Sequence, residues 1–224
     1  MNGNSVISAF ITNAGKYAEG ELIGQWVDFP TEKKVVQRTL KEIGVDGVNY
    51  EEYFMSDYNT EVEELIDYLP EYCDIDELNY LAAEIGNLGN YELEIYEAAL
   101  ELGYNLQSVK DLINLTDNTD CYGYLKNVTD DNDLGYYWIE ESGCYDTKAM
   151  GNLSNYIDYE GFGRDIRYDE SGCYTNKGYV YNNGDTFKEF YDGKEVPEEY
   201  RVFEYPANVK VKTLKRRDSR NMES

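Results

Sequence analysis

Residues 61–102 read EVEELIDYLPEYCDIDELNYLAAEIGNLGNYELEIYEAALEL, and two superposed patterns in this stretch decide the fold class. Val62, Leu65, Ile66 and Leu69 recur at helical spacing up to Pro70. Ile75, Leu78, Leu81, Ala82 and Ile85 repeat the spacing from an Asp74 cap to a stop near Gly86. Ile95, Ala98, Ala99 and Leu102 form a third stripe, ended by Gly103. Ser108 then caps a shorter helix with Val109, Leu112 and Ile113 inward. The spacing predicts a helical middle.

The second pattern is charge. The faces opposite those stripes carry Glu61, Glu64, Asp67 and Glu71, then Asp74, Glu77 and Glu84, then Glu94, Glu97 and Glu101, with Asp57 just upstream. Like charges at i, i+4 repel by roughly 0.2–0.5 kcal/mol per pair, and a lysine four residues along is the usual remedy. That remedy is missing: residues 45–146 hold 26 acids against Lys110 and Lys126. Over 224 residues the net charge is −25; residues 1–44 are balanced, and the end is basic through Lys210, Lys212, Lys215, Arg216, Arg217 and Arg220. A merely solvated face mixes both signs. Carboxylates three or four residues apart on a helix recur every ~4.5–6 Å, the scale of phosphate spacing on a nucleic-acid strand. Such a surface imitates DNA. It repels nucleic acid and steers DNA-binding proteins toward itself in a salt-dependent way.

The flanks alternate instead. Residues 6–12, 21–29 and 50–58 read as strands, Asn13-Ala14-Gly15 as a turn, and 32–43 as a helix stopped by Gly44. Beyond Asp120 the expected elements are a strand at 121–128 and a helix at 131–141 with Leu134, Tyr137 and Trp138 inward. A short helix at 152–159 broken by Gly161 and Gly163 follows, then strands at 166–168, 178–182, 186–191 and 201–205. The expected fold class is α+β, an elongated three-part chain. Its parts are a small α/β N-terminal part at 1–58, an acidic helical middle at 59–105, an α/β part at 106–182, and an extension at 183–224 with a possible hairpin and a basic tail.

Composition excludes much chemistry. Without a histidine there is no Ser-His-Asp or Cys-His nucleophile, no His-ligated zinc and no imidazole pH switch. Cys73, Cys121, Cys144 and Cys173 make no C-x-x-C pair and are expected as free thiols. Thr129 to Gly135 has a calcium-like flavour but lacks the EF-hand phase and its twelfth-position glutamate. With 45 acids, a glycosidase-like carboxylate pair at any spacing carries no information. No catalytic residue, metal or cofactor is expected. The opening Met1-Asn2-Gly3-Asn4-Ser5 lacks a basic and apolar leader pattern and no apolar run reaches membrane length, so the expected setting is cytoplasmic.

Two longer motifs carry a resemblance. Asn13-Ala14-Gly15-Lys16-Tyr17-Ala18-Glu19-Gly20-Glu21-Leu22-Ile23-Gly24-Gln25-Trp26 is similar to the opening N-L-G-K-Y-x-E-G-x-L-x-G-x-W of ArdA-type antirestriction proteins, with Ala14 in place of leucine. Tyr156-Ile157-Asp158-Tyr159-Glu160-Gly161-Phe162-Gly163-Arg164-Asp165 resembles that family's Y-I-D-Y-x-x-[YF]-G-R-D segment, and Tyr136 to Gly143 its preceding segment. The likeness covers about residues 6–182. It implies a non-enzymatic DNA mimic from a mobile element or phage, a homodimer, that occupies the DNA-binding groove of type I restriction-modification enzymes, on their methyltransferase and specificity subunits. The acids from Asp57 to Glu101 would stand in for phosphates, though the motifs do not fix them individually, and Tyr136, Tyr137, Glu140 and Glu141 would lie near the dimer contact. Two copies of the acidic segment match the charge of ~24 base pairs, roughly 80 Å of duplex. The competing readings are a mimic aimed at another DNA-binding defence protein, and an acidic calcium-binding protein or carboxylate-site enzyme. The last needs a focus of acids, whereas these are spread.

Overall fold

The computed structural model describes residues 5–104 and 106–206; the basic segment from Lys210 to Arg220 lies outside them. The fold is α+β, with two compact units: one formed by residues up to Gly86 together with those from Glu195 on, the other by Asn87–Lys194.

In the first unit, β1 (Ile7–Asn13) leads into a short helix α1 (Ala14–Ala18), β2 (Gly24–Phe29), α2 (Lys33–Glu42) and β3 (Tyr53–Thr60). β1 is the centre of an antiparallel sheet of order β2-β1-β3. Alternation along β1 sends Ile7, Ala9 and Ile11 inward with Val27 and Phe29, and α2 adds Val36 and Leu40 to the core. The expected turn at Asn13-Ala14-Gly15 is instead the start of α1. Asn13 Oδ1 accepts the Lys16 N–H at 2.9 Å, and its Nδ2 donates to the Ile43 carbonyl at 3.0 Å, so one amide caps a helix and ties it to the end of α2.

The expected helix beginning at Thr60 is a 3-10 helix, Glu63–Tyr68. Six residues ahead of Pro70, with no side-chain cap, are too few for a stable α-helix, and the threefold repeat aligns Val62 with Leu65. Ile66 is consequently turned out, 42% exposed, where an α-helical reading places it inward. By contrast α3 (Ile75–Asn87) buries Ile75, Leu78, Leu81, Ala82 and Ile85, as their spacing predicts.

The second unit contains α4 (Asn90–Leu102), α5 (Val109–Thr116), β4 (Tyr122–Lys126) and α6 (Asp131–Tyr136), which continues as a π-helical turn over Tyr137–Glu141. 3-10 turns on either side of Gly151 then span Thr147–Tyr156, and α7 (Tyr159–Glu170), β5 (Cys173–Tyr174) and β6 (Gly178–Asn182) follow. The sheet order is β4-β6-β5, antiparallel. Gly103 ends α4 at φ 72°, and Ser108 caps α5.

Here the structure corrects the expected break at Gly161 and Gly163 and the expected strand at 166–168: all of these lie inside α7. Gly163 serves a helix crossing, with Gly135 facing it. A Cβ at Gly163 would overlap the Asp131 carbonyl, and one at Gly135 would overlap the Tyr159 carbonyl, so α6 and α7 meet backbone to backbone. Leu134, Val128 and Tyr179 form the core beside the crossing, with Trp138, Ile166 and Tyr174 against it.

Residues 186–191 and 201–205 are not strands. Their backbone groups pair with side chains instead. Asn114 Oδ1 accepts from the Phe190 and Tyr191 N–H groups at 2.7 and 2.9 Å, and its Nδ2 donates to the Tyr191 carbonyl at 2.8 Å. Asn118 holds Lys188 N and O at 2.8 and 2.9 Å. In the first unit, Asp76 Oδ1 accepts both Val202 and Phe203 N–H groups at 2.6 Å, and Asn79 Nδ2 donates to the Tyr200 carbonyl at 2.9 Å.

Two outcomes follow for stability. Gly163→Ala forces the crossing apart and costs about 3 kcal/mol, whereas Gly86→Ala in α3, whose added Cβ meets only Val6 at 3.4 Å, gains about 0.5–1 kcal/mol; urea unfolding of both variants checks this. Asn114→Ala leaves the backbone groups of Phe190 and Tyr191 unsatisfied and lowers stability by about 2–4 kcal/mol, with faster amide exchange at Phe190 and Tyr191.

Candidate functional site

In the first unit the acids follow one another along consecutive elements. Asp57 is exposed on β3, Glu61 just beyond it, Glu64 and Asp67 on the 3-10 helix, Glu71 and Asp74 on the exposed linker, and Glu77 and Glu84 half-buried on α3. Asp57, Glu64, Asp67, Glu71 and Asp74 have no ion-pair partner among the described residues. Asp74 also caps α3, accepting the Asp76 N–H at 2.7 Å. Glu84 accepts the Tyr200 hydroxyl at 2.7 Å, and the Tyr200 ring stacks on Tyr80 at 4.5 Å.

In the second unit Glu94, Glu97 and Glu101 lie along α4. The first two are engaged by cations: Lys126 reaches Glu94 at 2.7 Å, and Lys177 pairs with Glu97. Glu101 is exposed. Tyr136 is exposed at the end of α6, while Tyr137 is half-buried. Glu140 accepts the Tyr159 hydroxyl at 2.7 Å and the Thr147 hydroxyl at 3.0 Å, and Glu141 is exposed. Tyr145, Met150, Leu153 and Tyr156 follow with large exposed apolar surfaces, Tyr156 at 84%.

The local field registers on neutral neighbours. Burial, and after it the carboxylates of Glu77 and Asp74, push the Cys73 thiol up to about 12. Burial first, then Asp74, raises the Tyr53 hydroxyl as well. The hydrogen bond to Glu84 heads the causes that raise Tyr200 to about 12. In the second unit, the Arg167 guanidinium donates to both Asp131 oxygens, at 2.7 and 3.2 Å, and holds that carboxyl below its ordinary value; Tyr174 adds a hydroxyl at 2.8 Å. Glu170 is raised, chiefly by burial. All four cysteines are free thiols. Among the described residues no group of three or more acids or thiols is placed to hold a metal ion, and no helix is long and apolar enough to cross a membrane.

Sequence reading passed over one feature, a cleft on the open face of the first sheet lined by Ser8, Trp26, Asp28, Asp57, Tyr58 and Asn59, about 490 Å³ in volume. Its one early signal was Trp26 and Asp28 two apart on a strand, hence on one face. Asp76 was also passed over, because only its contact with residues 202 and 203 reveals its role.

In comparison with known proteins, a family model described as antirestriction protein (ArdA) fits residues 9–181. No curated protein matches the chain.

The Asp131–Arg167 pair sets a pH dependence. Its folded-state pKa lies below the unfolded value of about 3.9, so its stabilisation is complete above that value and is lost as pH falls through the folded one. Glu170, raised, acts in the opposite sense between neutral pH and the ordinary glutamate range, so the test is read below about pH 4. Asp131→Asn is expected to be less stable than the parent by about 1 kcal/mol near neutral pH, with the difference closing as pH falls below the ordinary aspartate range in urea titrations.

Proposed function

We propose a mode of action for a chain that belongs to the ArdA family of antirestriction proteins: it acts without catalysis, as an acidic decoy that occupies the DNA-binding groove of a type I restriction-modification enzyme. The observation that carries this reading is the run of carboxylates Asp57, Glu64, Asp67, Glu71 and Asp74, half-buried at Glu64 and exposed at the others, without cationic partners among the described residues, inside the family match. Acids at such density repel DNA and attract the lysines and arginines that line a DNA-binding groove. Glu61, Glu77, Glu84, Glu94, Glu97 and Glu101 extend the same series. Glu94 and Glu97 give up their lysine partners when a more cationic surface approaches, since exposed ion pairs hold by only about 0–1 kcal/mol.

The working form is a homodimer formed by the second unit. Tyr136, Tyr145, Met150, Leu153 and Tyr156 offer the aromatic and aliphatic surface that a dimer contact uses, with Glu140 and Glu141 beside it. The setting is the cytoplasm of a cell receiving foreign DNA, where a mobile element gains from blocking restriction.

The test is competition. Full-length protein titrated into a type I restriction-modification enzyme on labelled DNA displaces the DNA near one dimer per DNA site, and more weakly as salt rises, with the dimer seen by light scattering in the same samples. Absence of displacement at any salt overturns the type I target.

A further inference from the structure

We propose that the cleft on the open face of the first sheet is a socket for an arginine side chain of a partner protein, with Trp26 as its stacking plate and Asp28 and Asp57 as its carboxylate posts. The register builds it. Phe10 on the central strand lies opposite Trp26 on β2 and opposite Asp57 on β3, so these three side chains share one face. Two residues along, Ser8 lies opposite Asp28 and Asn59, on the same face. Phe10 and Ser8 thus make a floor, and β2 and β3 each raise one wall. A β-bulge between Phe10 and Ile11 keeps Asp57 in register with Phe10 while Met55 beyond it turns into the core.

Each group is set for a planar cation. Trp26 stands edge-on against Phe10 at 5.5 Å, which fixes its ring, yet it remains 45% exposed. Asp28 is oriented by the Ser8 hydroxyl at 2.6 Å, and Asp57 by the Tyr58 N–H at 2.9 Å. Neither carboxylate has an ion-pair partner among the described residues. The cavity of about 490 Å³ adjoins a second of about 180 Å³ that shares Ser8 and Asn59 and reaches Glu61.

An aromatic plate beside two carboxylates matches guanidinium better than other ligands. Guanidinium is planar, weakly hydrated, stacks on indole and donates in a fork to carboxylates. An ammonium is a strongly hydrated point charge that gains little from the plate. A nucleobase would stack, but its phosphates would meet Asp28 and Asp57. The socket deepens the decoy reading and rests on it only for the owner of the arginine, a residue of the enzyme's DNA-binding groove. It adds a shaped contact to an attraction otherwise made of diffuse charge.

The experiment uses the full chain, with the Trp26 indole N–H followed by NMR during titration with Nα-acetyl-arginine amide and Nα-acetyl-lysine amide. Trp138, whose Nε1 is buried, is the internal control of fold. The arginine probe is expected to shift Trp26 saturably and to bind about threefold tighter than the lysine probe, and Asp28→Asn and Asp57→Asn each weaken it about threefold with Trp138 unmoved. Equal binding of both probes, or no loss in either variant, overturns the socket in favour of diffuse attraction. A Trp26 shift on replacing Arg216, Arg217 and Arg220 by glutamine, without any probe, overturns the partner assignment in favour of the chain's own tail. The probe titration contains no restriction enzyme. A socket that binds arginine in a protein that displaces no DNA therefore sinks the decoy reading and leaves the socket, and the converse result does the reverse.

Discussion

Everything in this molecule is built around carboxylates that the chain does not neutralise. Where lysine and arginine are scarce, acids must be held in place by groups that carry no charge, and tyrosine is the residue used. Tyr159 donates to Glu140 at 2.7 Å, Tyr179 to Glu170 at 3.0 Å and Tyr200 to Glu84 at 2.7 Å. A phenol orients a carboxylate and leaves its full negative charge, which a lysine would cancel. Tyr159, Tyr179 and Tyr200 are in this sense the counterparts of the acids they hold. Buried amides complete the scheme: Asn79, Asn114 and Asn118 clamp irregular backbone without carrying charge.

The same constraint explains what was legible in the sequence. Helices α3, α4 and α5 were readable, because stripes, Ser108 and Gly103 are local signals, although α4 also buries Tyr96 and Leu100 and leaves Leu102 only half-buried. The N-terminal sheet was readable by alternation. Helix α7 was not, since Gly161 and Gly163 look like breakers until α6 is seen lying against Gly163. Residues 186–191 and 201–205 run without helix, but their partners are side chains seventy or more residues away. The acidic surface was legible as composition; which acids stay open was not. Glu84 meets Tyr200, Glu94 meets Lys126 and Glu97 meets Lys177, and none of these contacts is local.

The motifs that carried the family likeness turn out to have local structural tasks. Asn13 caps α1, Lys16 bonds Glu19 at 2.9 Å and sits over the Tyr50 ring, and Tyr17 packs on Phe54. In the later motif Asp158 caps α7, Tyr159 reaches Glu140 and Gly163 makes the crossing. These motif residues hold the local scaffold.

Residues 195–206 lie beyond the matched span of 9–181, yet they are part of the first unit. Their attachment engages Asp76 and Glu84, two acids that α3 would otherwise present to solvent. The segment carries its own replacements: Glu195, Glu198, Glu199 and Glu204 are exposed along it, against Arg201 and a Lys33 contact to Glu204 at 2.9 Å. Covering acids with a strap that itself bears acids leaves the sign of the surface unchanged. The charge is moved one layer outward, and the strap gains anchorage from carboxylates that mutual repulsion had made costly to leave bare.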